Sequence, residues 1–128
     1  MKKTLLILTG FILSNVVMVA QIPKFMELPP DVRAKTHTEW MINTLKLNPD
    51  LFNKIYPINL QFANEVEPIK SDGISKFKKI KIIKDADGKR LKEFRTFLTA
   101  DQVETYIQKR KELFEQEQKN AKATKKAS

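Results

Sequence analysis

Few residues in this chain could do chemistry. Its 128 residues include one histidine, His37, and no cysteine. That removes a thiolate nucleophile, a thiolate zinc site, a disulfide framework and a lipid-modified N-terminal cysteine. A zinc site needs three or four ligands, and no cluster of His and carboxylates at ligand spacing accompanies His37. His37 is therefore expected on a helix surface. Asp85-x-Asp87-Gly88 hints at a calcium loop. With Gly88 at the sixth loop position, however, the first is Ile83 and the twelfth Phe94, and neither can ligate. No Gly-x-Ser-x-Gly turn is present, so no serine has an organised base. With only three glycines, a phosphate-cradling loop and a turn-rich barrel are both disfavoured. The sequence predicts a non-enzyme that uses no cofactor and no metal.

What remains is charge. The chain carries 24 Lys+Arg against 15 Asp+Glu, a net +9, and is 41% hydrophobic and 30% charged. That balance fits one small folded domain, neither plainly disordered nor an integral membrane bundle. Between Lys76 and Arg95, nine cations face three acids. On a helix, Lys78, Ile82 and Lys89 would point away from the apolar stripe, with Lys79, Lys81 and Arg90 on its flanks. Such a face reads either as solvated lysines that maintain solubility or as a cationic client-binding surface dotted with apolar contacts.

The first twenty residues read as an address. Lys2 and Lys3 precede an uncharged, mostly apolar run from Thr4 to Val19, and Ala20 stands at a plausible signal-peptidase site. The run is shorter than the ~20 apolar residues of a membrane span. Cleavage after Ala20 removes two lysines and no acid, leaving a mature charge of +7 against the full chain's +9. Export to a periplasmic location argues against nucleic acid as the partner of this positive field. Headgroups, acidic polymers and unfolded acidic proteins remain.

The elements that would position these groups are helical. Pro29-Pro30-Asp31 opens a helix over roughly Pro30 to Leu45, with Ala34, Thr38, Met41 and Leu45 on one face. Asn48-Pro49-Asp50 starts a second, whose stripe runs Phe52, Ile55, Asn59, Phe62, Val66 and Ile69, with a kink expected at Pro57. A third stripe runs Phe77, Ile80, Lys84, Asp87, Leu91, Phe94 and Leu98. Asp87-Gly88 between apolar runs could instead mark a β-hairpin. Pairing the two stripes antiparallel sets Ile69 against Phe77, Val66 against Ile80, Ile55 against Leu91 and Phe52 against Phe94. It also sets Asn59 against Asp87, a polar pair that would fix the register, and this favours helix. Thr99-x-x-Gln102 is a capping box, after which Val103, Tyr106, Arg110 and Leu113 continue to about Glu117. Residues 119–128 carry four lysines and no apolar period, so a disordered basic tail is expected beyond a domain of residues 21–118.

Two segments echo each other at an offset of 51: Leu47-Asn48-x-x-Leu51 and Leu98-Thr99-x-x-Gln102. Paired Leu-Thr-x-x-Gln motifs after a signal peptide, in a small basic helical chain, resemble the Spy/CpxP family of periplasmic proteins, especially its short secreted members. The resemblance covers roughly Pro30 to Gln118. It implies an all-α fold in which a long antiparallel helical hairpin is flanked by shorter helices and dimerised into a curved cradle. Leu47, Asn48, Leu98, Thr99 and Gln102 would be architectural, capping helices and turning the chain. Relatives include an ATP-independent holdase, a protein that restrains an envelope-stress sensor kinase, and a zinc binder. The resemblance therefore implies one of two partner classes for this chain: unfolded or misfolded envelope proteins, or a sensor-kinase periplasmic domain. A third reading, from the residues alone, is a membrane-surface or polyanion-binding protein that uses the basic tail.

Overall fold

The computed structural model describes residues 24–127; the leader expected over Met1–Ala20, with cleavage after Ala20, lies outside the described residues. Four α-helices follow one another: α1 (Pro30–Leu45), α2 (Phe52–Glu65), α3 (Lys76–Phe94) and α4 (Ala100–Ala127). Short 3-10 turns occupy Lys24–Glu27, Pro49–Leu51 and Glu67–Lys70, and the described residues contain no strand. The fold is all-α. Asp85 to Lys89 lie inside α3, so the Asp-Gly pair turns no hairpin.

Local chemistry sets the helix ends. Pro30 and Asp31 open α1, which closes on Lys46 in the left-handed region (φ 54°) while the Leu47 amide donates to the Ile42 carbonyl at 3.0 Å. Asn48 Oδ1 accepts from the Asp50 amide at 2.9 Å. The Ser75 hydroxyl accepts from the Lys78 amide at 3.2 Å. Thr99 and Gln102 form the reciprocal box: Gln102 Oε1 accepts from the Thr99 amide (2.9 Å) and Thr99 Oγ1 from the Gln102 amide (3.1 Å). Both motif leucines, Leu47 and Leu98, point into one core with Met41, Ile55, Phe94, Val103 and Tyr106.

Four expectations need correction. First, α2 does not run to Ile69. It stops at Glu65, because the residue before Pro68 disfavours helical backbone and Pro68 has no amide to donate. Pro57, by contrast, lies inside α2 on its exposed face, where the freed Asn53 carbonyl is open to water.

Second, the most extensive helix interface is α1 on α2, not α2 on α3. Where α2 touches α3 and the turn after it, Glu65 meets Lys89, Phe62 meets Arg90 and Lys54 meets Phe97. These contacts lie more than a helical turn from the predicted pairs.

Third, Phe77 is 83% exposed and packs on nothing like Ile69. With α2 ended early, no helix remains to cover the first turns of α3. Fourth, α4 continues through residues 119–127, where a disordered tail was expected. The stretch is built of strong helix formers and is stitched by Gln116 to Asn120 Oδ1 and Thr124 to the Asn120 carbonyl.

Lys46 offers a direct test of this account. Left-handed backbone costs an L-residue what it does not cost glycine, so Lys46→Gly should raise stability by about 0.5–1 kcal/mol. Thr99→Ala should lower it by about 1 kcal/mol through the lost cap. Thermal melts read both.

Candidate functional site

The polar side chains that the fold draws inward form three groups. In the first, Asp87 is gripped by two arginines. Arg90 donates to its Oδ1 through Nε (3.1 Å) and Nη2 (2.8 Å). Arg110, from α4, reaches Oδ1 and Oδ2 at 2.5 and 3.0 Å in a bidentate fork. Arg90 is buried and also stacks on the Phe62 ring, 3.5 Å from its centroid. Burial alone would raise the Asp87 carboxyl, but the Arg90 and Arg110 charges outweigh it and hold it below its ordinary value. The group continues through Tyr106, whose hydroxyl lies 3.4 Å from Arg110 and 2.8 Å from His37 Nε2. Burial, then the nearby Arg90 and Arg110, push the His37 pKa well below its ordinary value. The imidazole is neutral, and its Nε2 shares a hydrogen bond with the phenol whose donor is set by the tautomer. His37 is therefore a packed network member stacked on Trp40, not the helix-surface residue expected from sequence.

In the second group, Arg33 is buried and ties the start of the fold to the end of α2. It donates to the carbonyls of Met26 (2.8 Å), Leu28 (3.1 Å) and Ala63 (2.9 Å), and pairs with Glu67. In the third, the Asn59 amide donates to Thr38 Oγ1 at 3.0 Å and lies 3.5 Å from Met41 Sδ. Asn59 thus joins α2 to α1. It does not face Asp87, and the predicted polar pair is replaced by two separate ones. Neither Arg33 nor Arg110 stood out as a candidate from sequence. A charged residue in phase with a buried stripe is a signal only once its partner is known.

The cationic candidates on α3 divide. Lys78 and Lys81 are exposed, Lys79 and Ile82 half-buried, and Lys81 pairs with Asp85 at 2.8 Å. Lys89 is exposed and reaches Glu65 at 3.3 Å. Arg90 leaves the set because the shifted register turns it inward onto Phe62, so it belongs to no exposed face. Leu47 and Leu98 plug the core, while Asn48, Thr99 and Gln102 cap helices. Between α2 and α3 runs an open groove of about 230 Å³. Ile58, Gln61, Phe62 and Glu65 line it from α2, and Ala86, Lys89, Arg90, Lys92 and Glu93 from α3, with Arg90 stacked on Phe62 and Lys89 paired to Glu65. Among the described residues, no three His, Cys, Asp or Glu side chains are placed to hold a metal ion.

A family model described as "Domain of unknown function (DUF4890)" matches residues 20–127. The chain belongs to the DUF4890 family. Comparison with curated proteins and with solved structures found no match. The family match spans the capped helices, the Asp87–Tyr106 network and the groove together, so these are parts of one DUF4890 domain.

Two outcomes follow for the network. Asp87→Ala leaves Arg90 and Arg110 facing each other without an anion, and should cost about 3 kcal/mol in urea unfolding. His37 stays neutral in the fold while the unfolded chain takes up a proton near 6.5, so its contribution is complete above that pH and declines as pH falls below it. His37→Gln should flatten the stability–pH curve in this window. The further loss from Asp87 comes only below its ordinary 3.8.

Proposed function

We propose that this DUF4890 protein is an exported, ATP-independent binding protein of the holdase type. It acts on unfolding envelope proteins and works as a homodimer. The observation that carries this reading is the α2–α3 groove. It is open to solvent and mixed in character, with Ile58, Phe62 and Ala86 beside the cations Lys89, Arg90 and Lys92 and the acids Glu65 and Glu93. An enclosed ligand pocket selects one shape, whereas an open strip that mixes apolar and charged side chains accepts many sequences weakly. Long-range attraction from the mature chain's net +7 would recruit acidic clients, and Ile58 and Phe62 would then hold their apolar side chains. The Leu-Thr-x-x-Gln repeat and the leader at Met1–Ala20 support the same reading through the resemblance to Spy/CpxP proteins. No catalytic step is assigned.

The test is suppression of aggregation of two unrelated denatured proteins at low and high salt. Protection of both, weakened by salt and reduced several-fold by Lys89→Glu with Lys92→Glu, is expected. A folded helical protein that protects neither would overturn the holdase reading in favour of a dedicated regulator of one receptor.

A further inference from the structure

The lysine-rich start of α3 and the lysine-rich end of α4 emerge at the same end of the molecule. Arg110 of α4 grips Asp87 of α3, and the Tyr106 ring lies 5.4 Å from that of Phe94. Residue numbers therefore rise along α4 as they fall along α3. Everything before Asp87 and everything after Arg110 extends away from the turn that joins the two helices. At a rise of 1.5 Å per residue, Phe77 stands about 15 Å beyond Asp87 and Lys119 about 14 Å beyond Arg110. The two arms thus extend by similar lengths beyond the Asp87–Arg110 contact.

Their composition is one-sided. Five lysines lie between Lys76 and Lys84 and four between Lys119 and Lys126, while Asp85 is the one acid bordering either stretch. Lys76, Lys78, Lys81 and Lys84 are exposed on one arm, and all four lysines are exposed on the other. Among them stands Phe77, 83% exposed, against 40% for each of the other exposed large apolar residues, Leu28 and Val32. A ring left in water contributes nothing to the core. Cations alone would suit any polyanion, but a phenyl ring at their centre suits an anionic surface with an apolar interior.

We propose that this end of the molecule docks on the surface of a bilayer that carries anionic phospholipid. The lysines of both arms meet the headgroups, and Phe77 enters the acyl boundary. No described helix is long and apolar enough to cross a membrane, so the contact is interfacial. Lys89 and Lys92, at the groove, lie on the other side of Asp87 along α3. The groove is therefore held away from the bilayer, and docking is independent of the holdase reading.

Residues 21–128 contain the entire buried cluster from Met41 to Tyr106 and omit the apolar leader, so they are the form to test. Sedimentation with vesicles of phosphatidylcholine alone, and of phosphatidylcholine and phosphatidylglycerol in equal parts, measures partition. Binding to the anionic vesicles only, weakened by salt, is expected. Phe77→Ser should reduce it about tenfold. Lys119→Gln with Lys122→Gln and Lys126→Gln should also reduce it at least about tenfold. Each variant's helix content and melting should match the parent, since these side chains are exposed. Phe77→Trp should add blue-shifted fluorescence with anionic vesicles and none with inorganic polyphosphate. Absence of binding to the anionic vesicles, or binding that neither substitution set weakens, would overturn the proposal. A response to polyphosphate alone would do the same and would mark a polyanion site instead. Aggregation suppression, read in parallel, reports on the groove separately.

Discussion

Tyr106 is the side chain on which the packing of the helices converges. It is fully buried, and its ring meets those of His37 and Trp40 from α1 and Phe94 from α3. A buried phenol must have a partner for its hydroxyl. His37 supplies one at 2.8 Å and Arg110 a second at 3.4 Å. Burial, with Arg90 and Arg110 nearby, keeps His37 neutral. The Arg110 guanidinium closes on Asp87, joining α4 to α3 by charge while Tyr106 joins α4 to α1 by packing. Three helices thus take their relative heights from one residue.

The two motif copies feed the same point. Leu47 and Leu98 enter one core cluster, and so do Ile55 and Tyr106, which occupy matching positions in the two copies. Each copy therefore does the same physical work: a polar residue caps the incoming helix, and the leucine before it anchors the turn in the core. The first copy manages this with Asn48 in place of threonine, because an Asn side chain accepts from a backbone amide as a hydroxyl does.

Charge is segregated by the same architecture. Three cations are drawn inward: Arg33 onto Glu67, Arg90 onto Asp87 and Phe62, and Arg110 onto Asp87 and Tyr106. All three are arginines, whose planar fork keeps several hydrogen bonds while dehydrated. The lysines, more strongly hydrated, remain outside and collect where α3 and α4 outrun the shorter helices. The cationic end is thus a consequence of unequal helix lengths, and those lengths trace to Pro68.

The sequence alone determined the helical class, the Pro30–Leu45 boundaries, the Asn48 and Thr99 caps and most of the core. Each of these depends on neighbours within a few positions or on a three-four apolar period. Ile55, Phe94, Leu98, Val103 and Tyr106 were all legible as stripe residues. Which stripe faces which was decided only by the tertiary structure. Two equally periodic helices pair almost as well when one slides by a turn, so periodicity does not define register. The observed register separates Asn59 from Asp87 and turns Arg90 inward. The early end of α2 at Glu65, just before Pro68, leaves Phe77 in water. The network of Asp87, Arg90, Arg110, Tyr106 and His37 brings together residues from three helices. Its members are up to 73 positions apart in the chain, from His37 to Arg110, and no local pattern encodes such a meeting.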